Sequence, residues 1–592
     1  MKRFYNFLLL VFISISAFSI KVSAQQDTIQ IKLIETSDVH GALFPMDFYS
    51  GHKAPASLAN VLTLVNNERK NLNQQVVLLD NGDILQGEPV VYYYNTDKAN
   101  EEHICARVMN YMKYDAGTVG NHDIEAGHAV YDKLAKEFKF PWMAANAINT
   151  STGKPYFTPY TIINKNGIKI AVLGLITPYI PHWLPEVMWK GIKFEDMILS
   201  AKKWVPYILE REKPDLMVGL FHSGVEYTYN NQSENDLCNE NASELVAEKV
   251  PGFDIVFVGH DHTGWNKSVT NTDGKEVVIL GTTSDARNIA VATVKLVKQN
   301  GGSSYNKTIT GNLVESRKFA KDTAYENVFS PVIKEVAAYV SERVADFTDS
   351  ISTRQSLFGN SAFVDLVHTI QFEYSKADIS FSAPLSFDAT IHKGPVKISD
   401  MFNFYRYENF LYTMKLTGQE IKDYLEYSFA QWFNTMKNED DHLLLFKTDK
   451  DGNPIKTSAR RAFQLKGQYY NYCSAAGIIY TVDVSKPAGS RVVISSMQDG
   501  KPFELTKTYL VALNSYRGNG GGGHLTEGAK IPLGELSKRL VNSTQRDLRF
   551  YMIDWMRKKK TVSPTKFNNW KIIPEKWAEK GKEKDNKILF DK

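Results

Sequence analysis

The stretch TVGNHDIEAGH, from Thr118 to His128, follows a strand-like run and brings an amide, an imidazole and carboxylates together behind a glycine. Asn, Asp and Gly are ordinary turn residues, so this stretch alone is as consistent with a hydrogen-bonded turn as with a functional site. The ends of the other strand-like runs distinguish the two, because a site needs partners from elsewhere in the chain.

Short apolar runs of strand length alternate with helix-like stretches from Thr28 to about Leu313, which is the pattern of an α/β domain. Five runs matter most: TIQIKLIET, QQVVLLD, YDAGTV, DLMVGLF and FDIVFV. The polar residues that follow them, in order, are Asp38 and His40; Asp80 and Asp83; Asn121, His122 and Asp123; His222; and His260 and His262. Residues just beyond the carboxyl ends of strands gather in one crevice of an open α/β sheet, so we expect these side chains to meet.

The residues at these strand ends offer carboxylate oxygens, an amide oxygen and imidazole nitrogens, without a thiolate. Such a set suits Mn²⁺, Zn²⁺, Fe or Co better than Ca²⁺ or a soft metal. A single His at a strand end is more often a hydrogen-bonded structural residue. Here five of the 13 histidines follow the same end of a strand, each with a glycine within two residues. A metal site is therefore the favoured interpretation.

The size and charge of the chain limit the classes of function. At 592 residues it is too long for one hydrophobic core, which predicts two or more large domains. Lys and Arg number 70 against 66 Asp and Glu, a formal charge of +4 spread along the sequence. This balance gives no reason to expect a nucleic-acid polymer as partner. The three cysteines are widely spaced, which argues against a disulfide framework.

The N-terminus has the features of a secretory signal peptide. Lys2 and Arg3 precede an apolar run from Phe4 to Ile20, and small residues follow up to Ala24. A membrane anchor is the alternative, but the run is short for a span, and no later segment is long and apolar enough to cross a bilayer. We expect cleavage after Ala24 and export, with the periplasm as the compartment.

The remaining patterns predict the domain organisation. We expect a signal peptide, a first domain, a linker helix and a second domain over residues 1–24, 25–322, 323–349 and 350–592. In the second domain, Thr417 and Glu420 predict a capping box between a strand and a helix. The charge-rich C-terminus, EKWAEKGKEKDNKILFDK, is expected to be a solvated helix or tail.

The ordered motifs DVHG, NGD, GNHD, FHSG and GHDH resemble the five blocks of the calcineurin-like metallophosphoesterases, with spacing similar to the secreted 5′-nucleotidase family. Segments such as NFYRYENFLYTMKLTG, GIIYTVDVSKPAG and ALNSYRGNGGGG resemble the bifunctional 2′,3′-cyclic-nucleotide 2′-phosphodiesterase/3′-nucleotidase branch. The resemblance implies a mixed α/β fold: a four-layer αββα domain, then a second α/β substrate-binding domain joined by a helix.

The resemblance also implies a two-metal centre. One divalent ion would be held by Asp38, His40 and His262, and the other by Asn121, His222 and His260. Asp83 would bridge both ions. Mn, Zn, Co and Fe all suit this set, and the sequence does not choose among them.

His122 is absent from that ligand set and matches the catalytic histidine of the family. The resemblance implies that it donates a hydrogen bond to a phosphoryl oxygen and assists the leaving oxygen. In the 5′-nucleotidases an acid three positions later orients this histidine, which points to Glu125. Asp123, the nearer carboxylate in sequence, is the second candidate.

Two aromatic rings of the family's second domain enclose the nucleobase. The matching positions are Tyr470 and Tyr516, with Tyr472 as a rival for the first. Arg517, beside a run of glycines, is expected near the ligand, and Asn121 is counted with the substrate-binding residues as well as with the ligands. For either Tyr alone, packing in the core is the simpler explanation.

These features predict an exported enzyme that opens 2′,3′-cyclic nucleotides to 3′-nucleotides and then removes the 3′-phosphate. The 5′-nucleotidases carry an NGGGxR-like segment where this chain has SAPLSF, from Ser382 to Phe387, and the expected Arg is missing. A 5′-nucleotidase or UDP-sugar hydrolase on the same scaffold is the alternative. A non-catalytic nucleotide-binding surface protein is the alternative of another class.

Overall fold

The computed structural model describes residues 28–229, 232–299, 304–405, 407–456 and 463–590. The expected signal peptide, residues 1–24, lies outside these ranges. Within the described residues, no helix combines the length and apolar character needed to span a bilayer. Cys105, Cys238 and Cys473 are all free thiols, as the spacing predicted.

Two six-stranded sheets face each other in the first half of the chain. The first has the strand order Tyr305–Glu315, Asn288–Lys298, Thr28–Thr36, Gln75–Asp80, Ala116–Thr118 and Trp142–Met143. The second has the order Trp265–Thr270, Glu276–Gly281, Ile255–Val258, Leu216–His222, Ile168–Ile176 and Tyr160–Lys165. Apolar side chains from both sheets, such as Leu33 and Val218, are fully buried between them.

Helices cover the outer face of each sheet, so the four-layer αββα architecture predicted for this part of the chain is confirmed. Against the first sheet pack Leu58–Lys70, Pro89–Asn95, Ile104–Met112, His128–Glu137 and Thr323–Val340. Against the second sheet pack Met197–Glu212 and Ser243–Lys249. Two short helices, Asn121–Glu125 and Glu186–Trp189, and a small sheet of Ala147–Asn149 with Ile192–Phe194 lie in the connections.

The second half of the chain is built around a five-stranded mixed sheet. Its strand order is Ser474–Ala476, Ile379–Ser382, Thr508–Asn514, Phe410–Thr417 and Leu540–Asp547. Three smaller sheets join Gly394–Lys397, Arg343–Phe347 and Thr561–Val562; Val492–Met497, Ile478–Asp483 and Trp570–Ile573; and Ile351–Ser352 with Thr390–Ile391. The helices are Thr353–Ser356, Ala362–Ser375, Ile398–Phe404, Gly418–Ala430, Ser515–Gly518, Leu536–Arg539, Leu548–Lys559 and Glu575–Phe590.

The predicted capping box is confirmed at the start of helix Gly418–Ala430. The Thr417 backbone N–H donates to the Glu420 carboxylate at 2.7 Å, and the Glu420 backbone N–H donates to Thr417 Oγ1 at 3.2 Å. These two bonds satisfy donors that the first turn of a helix leaves free.

The connecting helix is shorter than the predicted range 323–349. It spans Thr323–Val340 and is followed by strand Arg343–Phe347, which pairs with Gly394–Lys397 and Thr561–Val562. The strand forms because Val344 and Phe347 are buried in the hydrophobic core of the second half. The exact domain boundaries stay a prediction.

The C-terminal segment is a helix, but it packs against the second half rather than being solvated throughout. In helix Glu575–Phe590 the Asp585 side chain is fully buried. Its carboxylate lies 2.5 Å from His442 Nδ1 and accepts the Leu444 backbone N–H at 2.8 Å.

Tyr92 joins the two halves of the chain. It belongs to helix Pro89–Asn95, yet its ring is only 2% exposed and lies in the hydrophobic core of the second half. The ring meets Phe402 edge to face with centroids 5.3 Å apart, and its hydroxyl donates to Asp547 Oδ2 at 3.1 Å.

Candidate metal centre and active site

The five strand ends singled out by the sequence meet at one edge of the two sheets. Strands Thr28–Thr36, Gln75–Asp80 and Ala116–Thr118 run parallel in the first sheet, and Leu216–His222 and Ile255–Val258 run parallel in the second. Their carboxyl ends therefore face the same crevice, as expected for parallel strands.

One group of ligand-type side chains consists of Asp38, His40 and His262, whose donor atoms lie within 4.8 Å of one another. The Nε2 atoms of His40 and His262 are 3.0 Å apart, and His262 Nε2 lies 3.3 Å from Asp38 Oδ1. These separations match those between neighbouring ligands of one divalent ion at the usual bond lengths of about 2.0–2.2 Å.

A second group consists of Asp83, His222 and His260, again within 4.8 Å. Asn121 lies among them: its Oδ1 is 3.1 Å from His222 Nε2 and 2.8 Å from His260 Nδ1. His222 Nε2 is also 3.1 Å from Asp83 Oδ2. These two groups follow the division that the family resemblance implies, with Asp83 lying in the second group; the role of the seven residues as ligands, and of Asp83 as a bridge between two ions, remains a proposal.

The outer contacts of the imidazoles select the nitrogen that faces each cluster. His40 Nδ1 donates to the Gln86 carbonyl at 3.1 Å, and His222 Nδ1 donates to the Asn81 carbonyl at 2.6 Å. In both rings Nε2 is then left with a lone pair, which is the state that binds a metal. His260 is reversed: Nε2 lies 3.3 Å from Glu240 Oε1, so Nδ1 faces the cluster. The donor set thus fits two divalent ions.

Five of the seven ligand candidates have a left-handed backbone. The φ angles are 52° at Asp38, 48° at His40, 57° at Asp83, 78° at His260 and 54° at His262. Such conformations are uncommon for residues with a Cβ, and they cluster at functional sites where surrounding structure enforces them.

Glycine at position 120 is required by close packing under the site. A Cβ atom there would lie 2.2 Å from Asp83 Oδ1 and 2.4 Å from the Asp83 backbone nitrogen. Gly120 therefore lets the GNHD turn approach the carboxylate that the family resemblance places between the two ions.

The carboxylates of the clusters are held in their charged form. Burial raises the pKa of Asp38, but the hydrogen bond from His262 and the charge of His222 outweigh it and lower the pKa to about 2. Burial acts on Asp83 in the same way, and the charges of His222 and His122 hold its pKa well below the usual range. The positive charge that lowers both pKa values is carried by protonated imidazoles; His222 and His262 would lose that proton on binding a metal, and the bound cation would then keep the carboxylates ionised.

His122 lies beside these clusters and is paired with Glu125. Its ring centroid is 5.5 Å from that of His40, and its Nδ1 lies 2.5 Å from Glu125 Oε2. The His122 side chain is 34% exposed, so a substrate can reach it. Burial lowers its pKa, while the charges of Asp83 and Glu125 raise it, and the net result is a pKa of about 10.

Asp123, the second candidate for orienting His122, has another position. Its carboxylate is fully buried and accepts the backbone N–H groups of Gly120, Asp83, Ile84 and Leu85 at 2.7, 3.0, 2.9 and 3.1 Å. These bonds join the GNHD turn to the NGD turn, so the structure brings Glu125 rather than Asp123 to the imidazole.

The three tyrosine candidates of the second half divide into two environments. Tyr470 and Tyr516 are partly exposed. Tyr472 is 2% exposed and stacks on Trp432 with centroids 5.1 Å apart and an angle of 9°. The prediction that Tyr472 could stack on the nucleobase is therefore wrong, because a ring enclosed in the core has no free face for a base.

Arg517 also differs from expectation, because its guanidinium makes internal contacts. It is 2% exposed and donates to the carbonyls of Gly521 and Tyr470, both at 2.6 Å, and to Asn471 Oδ1 at 2.8 Å. Its Cζ lies 5.0 Å from the centroid of the Tyr516 ring. Arg517 thus connects the segments that carry Tyr470 and Tyr516 and is not itself free to contact a ligand.

Glu240 and Trp183 are two further residues beside the site, and no sequence motif indicates either of them. Glu240 contacts His260, as described above, and the Trp183 ring lies 5.3 Å from the His260 ring at 34°. Neither follows the pattern of a strand end with a glycine, so only the folded structure identifies them.

Comparisons with known proteins identify the domain families of the two halves. Residues 31–264 match the model of the calcineurin-like phosphoesterases, and residues 337–527 match that of the 5′-nucleotidase C-terminal domain. The chain contains a calcineurin-like phosphoesterase domain followed by a 5′-nucleotidase C-terminal domain. This phosphoesterase is a phosphoric ester hydrolase, and enzymes of its family depend on divalent metals.

Individual relatives of the phosphoesterase cover most of its length. A 2′,3′-cyclic-nucleotide 2′-phosphodiesterase/3′-nucleotidase of Haemophilus influenzae is 24% identical over 95% of this chain and 90% of its own length. A trifunctional nucleotide phosphoesterase of Bacillus subtilis is 27% identical over 92% of this chain, which spans only 39% of that protein. The solved structure of a 5′-nucleotidase precursor from Thermus thermophilus has the same fold, with a TM-score of 0.58, 20% identity and coverage of 92% of this chain and 100% of its own.

Proposed function

We propose that this phosphoesterase acts on nucleotides, opening 2′,3′-cyclic nucleotides to 3′-nucleotides and then releasing the 3′-phosphate. The observation that carries the proposal is the position of His122, which lies beside two groups of metal-ligand residues and is paired with Glu125. The names of the relatives and the absence of the NGGGxR-like segment support the choice of substrate.

Seven residues would hold the two ions: Asp38, His40 and His262 for one, Asn121, His222 and His260 for the other, and Asp83 between them. When bound, two divalent cations neutralise the phosphoryl oxygens and lower the pKa of an attacking water. Asn121 contributes a neutral oxygen, so the site keeps more positive charge for an anionic ester than a third Asp would leave.

His122 would stabilise the charge that develops on the phosphoryl group. The raised pKa of about 10 keeps the His122 imidazole protonated, so Nδ1–H donates to Glu125 Oε2 while Nε2–H donates a hydrogen bond to a phosphoryl oxygen or to the leaving O2′ or O3′. In the first reaction a water oxygen forms a bond to phosphorus as the P–O2′ bond breaks, and O2′ takes up a proton. In the second reaction a water oxygen again bonds to phosphorus, the P–O3′ bond breaks, O3′ takes up a proton and free phosphate leaves.

The nucleobase would lie against Tyr470 and Tyr516 in the second half. Both rings are partly exposed, and the Arg517 contacts hold their segments together. Stacking contributes about 1–3 kcal/mol per base and tolerates every base, so we expect broad base acceptance.

A substrate panel tests the choice of reaction. Purified protein with Mn²⁺ or Co²⁺ is expected to release phosphate faster from 3′-AMP than from 5′-AMP and to open 2′,3′-cyclic AMP. Rapid release from 5′-AMP with intact cyclic nucleotide would instead identify a 5′-nucleotidase or UDP-sugar hydrolase. Fewer than one bound ion per chain after reconstitution would favour the non-catalytic nucleotide-binding protein.

Export to the periplasm is part of the proposal, on the evidence of the N-terminal sequence. Lys2 and Arg3, the apolar run that ends at Ile20 and the small residues up to Ala24 are the features of a signal peptide. N-terminal sequencing of protein from the periplasmic fraction is expected to begin after Ala24. Recovery of the uncleaved chain from the cytosol would contradict export.

A further inference from the structure

A sixth strand end reaches the metal-ligand residues and carries aromatic side chains. Strand Ile168–Ile176 runs parallel to Leu216–His222, with Ile176 opposite His222, and the backbone N–H of Thr177 donates to the His222 carbonyl at 2.8 Å. The loop that follows has the sequence TPYIPHWL, from Thr177 to Leu184, and Trp183 is its last aromatic residue. It therefore starts directly beside a proposed metal ligand.

The loop from Thr177 to Leu184 also packs against a second ligand candidate. The Tyr179 and His182 rings stack with centroids 3.8 Å apart, and Tyr179 lies 5.4 Å from the Trp183 ring. The Trp183 ring in turn lies 5.3 Å from that of His260. These contacts fix Trp183 in relation to the cluster that would hold the phosphoryl group.

The backbone of Trp183 accepts a hydrogen bond from the other half of the chain. The donor is Asn519 Nδ2, at 2.8 Å from the Trp183 carbonyl oxygen. Asn519 directly follows the short helix Ser515–Gly518, and its backbone N–H donates to the Ser515 carbonyl at 2.9 Å. Tyr516 lies on this same turn.

The Tyr516 ring packs against the turn that leads to and follows Asn519. The Arg517 guanidinium lies over the ring, and a Cβ at Gly521 would come within 2.4 Å of Tyr516 Cε2, so the glycine backbone packs against the ring. A contact that holds Asn519 therefore also holds the Tyr516 ring.

We propose that Asn519 is a positioning residue for nucleotides, because its bond to the Trp183 carbonyl sets the distance between the base-stacking Tyr516 ring and the metal-ligand residues. The proposal rests on the proposed nucleotide substrate but not on which phosphate position is cleaved. A nucleotide contacts both halves at once, and its two ends bind as linked ligands whose combined affinity depends on the spacing of the two sites. Phosphate alone or nucleoside alone contacts only one half, so its affinity does not depend on the spacing of the two sites.

The test compares three ligands in the full-length, metal-loaded enzyme. Asn519→Ala removes the bond to the Trp183 carbonyl together with a side-chain hydrogen bond to Tyr412 within the second half. The KM of the preferred nucleotide is expected to rise about three- to tenfold, the usual effect of losing the one neutral hydrogen bond that joins the halves. The inhibition constants of adenosine and of inorganic phosphate are expected to stay unchanged. Asn542→Ala, at an exposed position of strand Leu540–Asp547, is the matched control and is expected to alter none of the three.

Each other outcome contradicts the proposal in its own way. A higher inhibition constant for adenosine would mean that the Tyr516 ring itself is displaced. A higher inhibition constant for phosphate would mean that the metal-ligand cluster is disturbed. An unchanged nucleotide KM would mean that the bond does not set the spacing. Asn519→Asp, which keeps the size but removes the donor, gives the same test if Asn519→Ala folds poorly.

The proposed function and this inference fail separately. A preference for 5′- over 3′-nucleotides would refute the proposed reaction, yet the ratio of mutant to wild-type KM for the preferred nucleotide would still test Asn519. If the protein hydrolyses no nucleotide, the ratio of the nucleotide dissociation constants, measured by calorimetry, replaces the KM ratio.

Discussion

His122 and Glu125 lie one helical turn apart in helix Asn121–Glu125, with Nδ1 and Oε2 separated by 2.5 Å. The imidazole is thus oriented by its own helix, while its neighbour Asn121 contacts His222 and His260. Two adjacent residues of one short helix thus have different proposed roles, Asn121 as a metal ligand and His122 as the group that stabilises charge, and mutations can separate these roles.

The first prediction concerns His122. His122→Ala is expected to lower kcat by about 10²–10⁴, because a group that stabilises charge or transfers a proton is lost, while metal content stays near the wild-type value. Steady-state kinetics and elemental analysis of the same preparation check both parts. Loss of metal in this variant would place His122 among the ligands.

The second prediction separates the two neighbouring acids. Glu125→Gln is expected to lower kcat by about 10–100-fold with an unchanged melting temperature, as for other partners that orient a histidine. Asp123→Asn places an amide against backbone N–H groups that now donate to a carboxylate, at a cost of about 1–3 kcal/mol of stability. Calorimetry and kinetics on both variants measure the contrast. The reverse pattern would mean that Asp123, not Glu125, acts on His122.

The third prediction contrasts Tyr470 with Tyr472. Tyr470→Ala is expected to raise the KM for nucleotides and to leave hydrolysis of p-nitrophenyl phosphate almost unchanged, because the small substrate does not need the ring. Tyr472→Ala removes a buried ring stacked on Trp432 and is expected to lower the free energy of unfolding by about 3–5 kcal/mol. Equal damage to both substrates in Tyr470→Ala would indicate a structural ring.

The fourth prediction concerns the close approach under Asp83. Gly120→Ala is expected to reduce metal occupancy to below half, because the new methyl group overlaps the Asp83 carboxylate. Gly534→Ala is the control, since a Cβ there meets nothing within 4 Å. Normal metal content in Gly120→Ala would show that the two turns can move apart without loss of the site.

The fifth prediction is a pH dependence of stability that arises from a buried histidine in the second half of the chain. His368 is buried, which lowers its pKa to about 3, and its Nδ1 is 2.8 Å from Ser380 Oγ. Below pH 6.5 His368 is protonated in the unfolded chain but stays neutral in the folded chain down to about pH 3. The free energy of unfolding therefore falls by up to about 1.4 kcal/mol per pH unit between pH 6.5 and 3. His368→Gln is expected to have a shallower decline in denaturant titrations over that range. An unchanged slope would mean that this histidine does not contribute.

Much of the candidate site could be predicted from the sequence because parallel strands end at one edge. The sheet topology brings together the residues that follow these strands, among them Asp38, His40, Asp83 and His222. The resemblance to a family then divided them into two groups, which the distances in the structure match. The same reasoning placed Glu125 before Asp123, and only Glu125 reaches the imidazole.

The second half was harder to predict because the exposure of its candidate residues depends on packing between segments that are distant in sequence. Tyr470 and Tyr472 are separated by one residue, yet one is partly exposed and the other is in the core, and no local pattern distinguishes them. Arg517 sits beside a glycine run, but its donors are taken by backbone carbonyls that only the folded chain brings near. Long-range packing likewise holds the C-terminal helix, through the buried Asp585.

The position of Tyr92 has a consequence for dissecting this enzyme. Its ring comes from the first half of the chain but fills space in the core of the second, so truncation between the halves would expose an aromatic side chain on one fragment and open a cavity in the other. Such fragments would be prone to associate with each other or to aggregate. The intact enzyme is instead expected to melt in one cooperative transition.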